Sequence, residues 1–146
     1  MEKTMLALVA HDSKKGDMVC LVKAHQRELS QMELIATKGT GKLIKAETGQ
    51  MVTLLEDGPY GGDRQVGALV ASGKVGAVVF LRDPLMAQPH EPDISALLRV
   101  CDVHNVPLAT NVASAEGILH QICDHPQIPD ELYVMEQFLQ ESEMAS

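Results

Sequence analysis

The sequence predicts an α/β protein, single-domain and doubly wound, with a mostly parallel five-stranded sheet and helices on both faces. Three observations carry this. The chain has 146 residues, the size of one ordinary domain. Five short apolar runs lack polar alternation, the pattern of strands covered on both faces. Segments of helical periodicity separate the runs, and strand–helix alternation implies βαβ units with right-handed crossovers.

The expected strands are Met5–Ala10, Met32–Ala36, Met51–Leu55, Val75–Leu81 and Val106–Ala109. Met18, Leu21, Val22, His25 and Leu29 lie on one helical stripe. Ile94, Leu97, Leu98 and Cys101 repeat that spacing after Asp93, an expected N-cap. Further helices are expected at about 40–48, 64–72 and 114–122, and Leu132, Met135, Phe138 and Leu139 suggest another near the C-terminus. No repeat or linker divides residues 1–146, so one domain is expected.

Composition excludes several function classes. Twelve basic against twenty acidic side chains give a net charge of -8, which argues against nucleic acid and anionic membranes as partners. With no Trp, two Tyr and two Phe, a base-stacking surface is not expected. Cys20, Cys101 and Cys123 are odd in number and widely spaced, which reads as reduced thiols of a cytoplasmic protein. The longest apolar runs are far short of the ~20 residues of a membrane helix, and no signal peptide is expected.

In a parallel sheet ligands bind beyond the carboxyl ends of the strands. Those ends carry His11-Asp12-Ser13-Lys14-Lys15, Thr37-Lys38-Gly39-Thr40-Gly41, Asp57-Gly58-Pro59-Tyr60-Gly61-Gly62-Asp63, Arg82-Asp83-Pro84 and Thr110-Asn111. The fourth end continues into Pro89-His90-Glu91-Pro92-Asp93. Nearly all the side chains capable of chemistry therefore converge on one rim. Thr37–Gly41 opens a helix with small and hydroxyl residues, which makes an anion cradle or a simple cap. Lys15 could add a cation there, or be a solvated surface group. Asp63 follows two glycines, which let backbone approach a ligand closely; alternatively it caps a helix beginning at Arg64. His90 sits between prolines in a loop. Asp83-Pro84 reads as a turn. No P-loop, G-x-G-x-x-G, G-x-S-x-G or local metal-ligand spacing occurs.

The runs Ala7–Asp12, Gly58–Ala68, Phe80–Leu85, Pro89–Asp93 and Pro107–Asn111 resemble methylglyoxal synthase, and the resemblance extends from about residue 4 to 120. It implies a lyase that converts dihydroxyacetone phosphate to methylglyoxal and inorganic phosphate. It also implies that no metal or organic cofactor is used and that the assembly is a homohexamer. On matching positions, Asp63 would be the catalytic base, and His11 and His90 would bind the substrate's oxygens. Lys15, Thr37 and Thr40 would hold its phosphate, and Asp12 and Asp93 would be further active-site carboxylates; Lys38, Gly39, Asp57 and Gly58 beside the cradle are taken as substrate-binding candidates as well.

Two positions depart from the family pattern. Thr37-Lys38-Gly39-Thr40 is similar to the Thr-x-Gly-Thr of related ligand-binding domains, such as the regulatory domain of carbamoyl phosphate synthetase. Asp57 stands where the family usually has Ser; an Asp57–Lys38 pair is the expected compensation for its charge. Two alternatives stay open: a non-catalytic ligand-binding domain of the same fold, and an enzyme acting on another carbonyl compound.

Overall fold

Five parallel strands form one sheet in the order β3-β2-β1-β4-β5. The computed structural model describes residues 5–124, so the helix expected around Leu132–Leu139 lies outside the described residues. The strands are β1 (Met5–Ala10), β2 (Glu33–Thr37), β3 (Val52–Leu55), β4 (Val75–Leu81) and β5 (Leu108–Ala109). The helices are α1 (Lys15–Ala24), α2 (Gln26–Leu29), α3 (Lys38–Thr48), α4 (Gly62–Ala71), α5 (Glu91–Val103) and α6 (Val112–Asp124).

The apolar runs are unbroken because both sheet faces are covered. Leu6, Leu8, Leu34, Val79 and Leu81 face α1, α3 and α6, where Met18, Val22, Ile44 and Leu119 complete one core. Ala7, Val9, Ile35, Val78 and Phe80 face α4 and α5 and pack on Val66, Val70, Ile94 and Leu97. Alternation thus sorts residues between two cores, as the period-two geometry of a strand requires. Order reverses between β2-β1 and β1-β4, so the carboxyl ends of β1 and its two neighbours open onto a crevice.

Several expected boundaries move for local reasons. The stripe from Met18 to Leu29 splits into α1 and α2 at His25, whose Nε2 lies 2.6 Å from Glu116 Oε2 on α6. β5 shortens to Leu108–Ala109 because Pro107 has no N–H to donate, although its carbonyl still accepts from Val78 N–H at 2.9 Å. α4 starts at Gly62 rather than Arg64, after Gly61 in the left-handed region at φ +100°. α5 starts at Glu91, so Asp93 lies in its first turn while His90 takes the cap position. Among the described residues no helix is long and apolar enough to cross a membrane.

Candidate active site

β1 runs Ala10 into His11 at the centre of the crevice, and this imidazole is fixed on three sides. Its ring stands edge-on to Phe80, with centroids 5.2 Å apart, and edge-on to His90 at 5.9 Å. The N–H of Asp83 donates to His11 Nδ1 at 2.8 Å. A neutral His11 ring therefore carries its proton on Nε2, which is buried and has no hydrogen-bond partner. Burial, then the nearby His90 and Arg82, hold the His11 pKa below the ordinary imidazole value, so the neutral form is favoured.

The loop from Asp57 to Gly62 winds tightly, since the Asp57 carbonyl accepts from the N–H groups of Tyr60 and Gly62 at 2.9 and 3.0 Å. Gly62 is needed there: a Cβ on it would lie 2.0 Å from the Glu56 carbonyl oxygen. The bend delivers Asp63 into the first turn of α4, 1% exposed, with neither carboxylate oxygen hydrogen-bonded. Desolvation pushes its pKa up against the opposing pull of His90, and Asp93 adds a second upward push. His90 Nε2 lies 3.3 Å from Asp63 Oδ2, a close approach that lacks hydrogen-bond alignment, and His90 Nδ1 is also buried and unpartnered. Gly58 makes room for His90, because a Cβ at that position would come within 2.6 Å of Nε2.

The first turn of α3 forms the opposite wall. Thr40 Oγ1 bonds to Ala10 N–H and carbonyl, both at 3.3 Å, and Thr37 Oγ1 donates to it at 3.3 Å. These hydroxyls tie the helix to the end of β1. Lys15 Nζ pairs with Asp12 Oδ1 at 2.6 Å, and this contact holds the Asp12 carboxyl below its usual range.

His11, Asp12, Lys15, Thr37, Gly39, Thr40, Asp57, Gly58, Asp63 and His90 thus line one cavity of about 320 Å³. Two other candidates do not. Lys38 is exposed and forms no pair with Asp57, whose Oδ1 accepts from Gly39 N–H at 2.8 Å instead. Asp93 accepts from Arg64 Nε at 3.0 Å and reaches Asp63 through its charge. Thr110 and Asn111 line a separate cavity of about 400 Å³ beside Arg82. Tyr60, from the segment between Asp57 and Asp63, also lines the first cavity, as does Gln88, which no motif announces, and Asp83 supplies His11 with a backbone N–H. Among the described residues no group of three or more His, Cys, Asp or Glu side chains could hold a metal ion.

The cavity combines a desolvated carboxylate, two imidazoles and the amino end of a helix beside an ammonium group. Such an arrangement can take up and return a proton beside a bound anion, the chemistry of a small acid–base enzyme. Residues 17–110 match the family model described as the MGS-like domain. The chain is 56% identical over 117 residues to a methylglyoxal synthase of Carboxydothermus hydrogenoformans, covering 80% of this chain and 97% of that one. It is 59% identical to a methylglyoxal synthase of Cupriavidus taiwanensis, covering 80% of this chain and 88% of the other. The crystal structure of methylglyoxal synthase from Elizabethkingia anophelis superposes with a TM-score of 0.76 at 44% identity, covering 80% of this chain and 77% of that one. The chain belongs to the methylglyoxal synthase family.

Proposed function

We propose that the protein is a lyase that converts dihydroxyacetone phosphate to methylglyoxal and inorganic phosphate, with Asp63 as the base. One observation carries the assignment of roles: a buried carboxylate without a hydrogen-bond partner shares its cavity with two imidazole nitrogens that are also buried and unpartnered. Native proteins rarely leave such groups unsatisfied, and a bound substrate supplies the missing partners.

The substrate's phosphate lies toward Lys15 and the first turn of α3, and its carbonyl oxygen toward His11 and His90. Asp63 removes the proton from the hydroxymethyl carbon. Charge then develops on the carbonyl oxygen, where His11 Nε2–H donates a hydrogen bond as the enediolate forms. A neutral donor suits this step, because it stabilises the oxyanion without surrendering its proton outright. The C–O bond to phosphate then breaks, the electron pair leaves with phosphate, and the hydroxyl proton of the former hydroxymethyl group is released. What remains is the enolate of methylglyoxal, which takes up a proton at its methylene carbon to give the product. Asp12 holds Lys15 in place, and Asp93 keeps Asp63 basic through its charge. Thr37 and Thr40 anchor the phosphate end, with Gly39, Gly58 and Asp57 shaping it and Lys38 at its outer edge.

We take the protein to be cytoplasmic and homohexameric, drawing triose phosphate out of glycolysis as a bypass. The free thiol of the exposed Cys20 supports the first part, and the exposed Tyr60, Leu85 and Met86 support an oligomer. Purified protein incubated with dihydroxyacetone phosphate is expected to release methylglyoxal and phosphate in equal amounts. Asp63→Asn should lower turnover by about 10²–10⁴-fold with the fold intact. No methylglyoxal from the wild type, or an Asp63→Asn variant of undiminished rate, would overturn the proposal.

A further inference from the structure

The amino end of α3 is already occupied by a negative charge that belongs to the protein. The first N–H groups of a helix have no intrahelical acceptor and attract anions. Here Thr37 stands at the cap position without a capping side-chain bond, and its hydroxyl turns to Thr40 instead. The capping oxygen comes from eighteen residues downstream: Asp57 Oδ1 accepts from Gly39 N–H at 2.8 Å. Lys15 Nζ closes on the same spot. A Cβ added to Gly39 would lie 2.8 Å from that nitrogen and 3.3 Å from Asp57 Oδ1. Lys15 is in turn bound to Asp12 at 2.6 Å. The ammonium group that would receive an incoming phosphate is therefore flanked by two carboxylates, and one cradle N–H is spoken for.

We propose that Asp57 is an internal competitor of the phosphate group, so that phosphate enters the cradle by displacing this carboxylate from Gly39 N–H. The proposal rests on the reading of this end of the cavity as the phosphate subsite. Its consequence is regulatory. Dihydroxyacetone phosphate is held at two further points, by His11 and His90, whereas inorganic phosphate has the cradle alone. The penalty weakens the phosphate ester and free phosphate by the same factor, but the substrate keeps its contacts at the carbonyl end, whereas free phosphate has nothing else to hold it. The protein releases its product readily and resists inhibition by it, and the carbonyl end carries more of the discrimination for substrate. Two like charges about 4 Å apart at an effective dielectric near 20 weaken binding by about a thousandfold when nothing offsets them. Lys15 offsets part of this, so removing the Asp57 charge should tighten phosphate binding by about tenfold to a hundredfold.

The test is titration of inorganic phosphate into the wild type, Asp57→Asn and Asp57→Ala by calorimetry at one pH, with phosphate inhibition of turnover measured alongside. Asp57→Asn keeps an oxygen for Gly39 N–H and removes only the charge, so it protects against a loss of the helix cap that would unfold Asp57→Ala. A phosphate Kd at least about tenfold lower in Asp57→Asn, with the inhibition constant falling in parallel, supports the proposal. Equal or weaker phosphate binding in Asp57→Asn overturns it. The calorimetric result does not depend on turnover. Failure of the wild type to act on dihydroxyacetone phosphate would sink the proposed activity, and a flat phosphate titration series would sink the role of Asp57.

Discussion

A carboxylate sealed from water and offered no hydrogen bond favours its neutral form, and Asp63 pays for its chemistry in that way. Its folded pKa lies above the unfolded value, so the unfolded chain loses this proton first as pH rises. The penalty on stability therefore accrues between the unfolded and folded pKa values and is complete above both. Asp63→Asn should accordingly be inactive and yet more stable at pH 7, by about 1 kcal/mol or a Tm gain of about 2–4 °C. The gain should fade below about pH 4, where both states hold the proton. Thermal melts at pH 7 and pH 3.5 check this, and a lower Tm for the variant at pH 7 would contradict the buried charge. The same raised pKa should move the acid limb of kcat/KM upward, because Asp63 must be ionised in the free protein to act. The substrate's phosphate monoester titrates near 6 in its own right, so its ionisation is measured separately and divided out. His11 has the opposite sign. Its folded pKa is lowered, so it costs stability only as pH falls through the ordinary imidazole range, and at neutral pH it stands ready as a donor.

At the scale of elements, the loop between β3 and α4 shows how two glycines of one motif serve different ends. Gly62 has backbone against it: a Cβ there would meet the Glu56 carbonyl oxygen at 2.0 Å and Thr37 Cγ2 at 2.8 Å. Gly62→Ala should therefore lower Tm, at a cost of about 3 kcal/mol. Gly58 faces the His90 ring, with its nearest contact at 2.6 Å, so the ring rather than the backbone must yield in Gly58→Ala. That variant should melt near the wild-type temperature and lose about a hundredfold in kcat, the cost of a misplaced catalytic group. Unchanged kcat in Gly58→Ala would show that His90 need not hold its place. The same loop marks the limit of what could be read from residues. The rim itself was legible, because strands buried on both faces are apolar to their last residue and polar side chains begin where they end. Individual placements on the rim were not. Lys38 and Gly39 are neighbours in the chain, yet the first turn of α3 leaves Lys38 exposed and puts Gly39 in the cavity. Asp83 makes the turn that Asp83-Pro84 suggests, its Oδ1 accepting from Leu85 N–H at 3.1 Å, and its main-chain N–H to His11 is a further contribution that no side-chain pattern announces. The Asp93–Arg64 contact joins α5 to α4 and depends on how two helices pack, as does the union of Asp57 with Gly39 across β2 and β3.

For the whole molecule, the charge of -8 sets a field that opposes the approach of any phosphorylated substrate. The cation in the cavity lining is Lys15, whose side chain is 25% exposed and whose reach is local. Long-range repulsion and short-range attraction respond differently to salt. Raising potassium chloride from about 20 to 200 mM shortens the screening length from about 20 Å to about 7 Å. The surface carboxylates then fall largely out of range of a substrate still outside the cavity. A contact between Lys15 and phosphate lies inside either screening length and loses much less. The KM for dihydroxyacetone phosphate should therefore stay flat or fall by about twofold over this range. An enzyme that steers its substrate with a basic surface behaves in the opposite way, with affinity dropping steeply as salt rises. A KM that climbs severalfold would mean that a cationic path to the cavity exists despite the net charge, and the view of Lys15 as a local cation in an acidic field would have to be abandoned. The comparison also separates the two sources of weak phosphate binding. The surface field is screened by salt, whereas the Asp57 carboxylate, bonded to Gly39 within the cavity, is not. Phosphate inhibition should consequently remain weaker in the wild type than in Asp57→Asn at both salt concentrations.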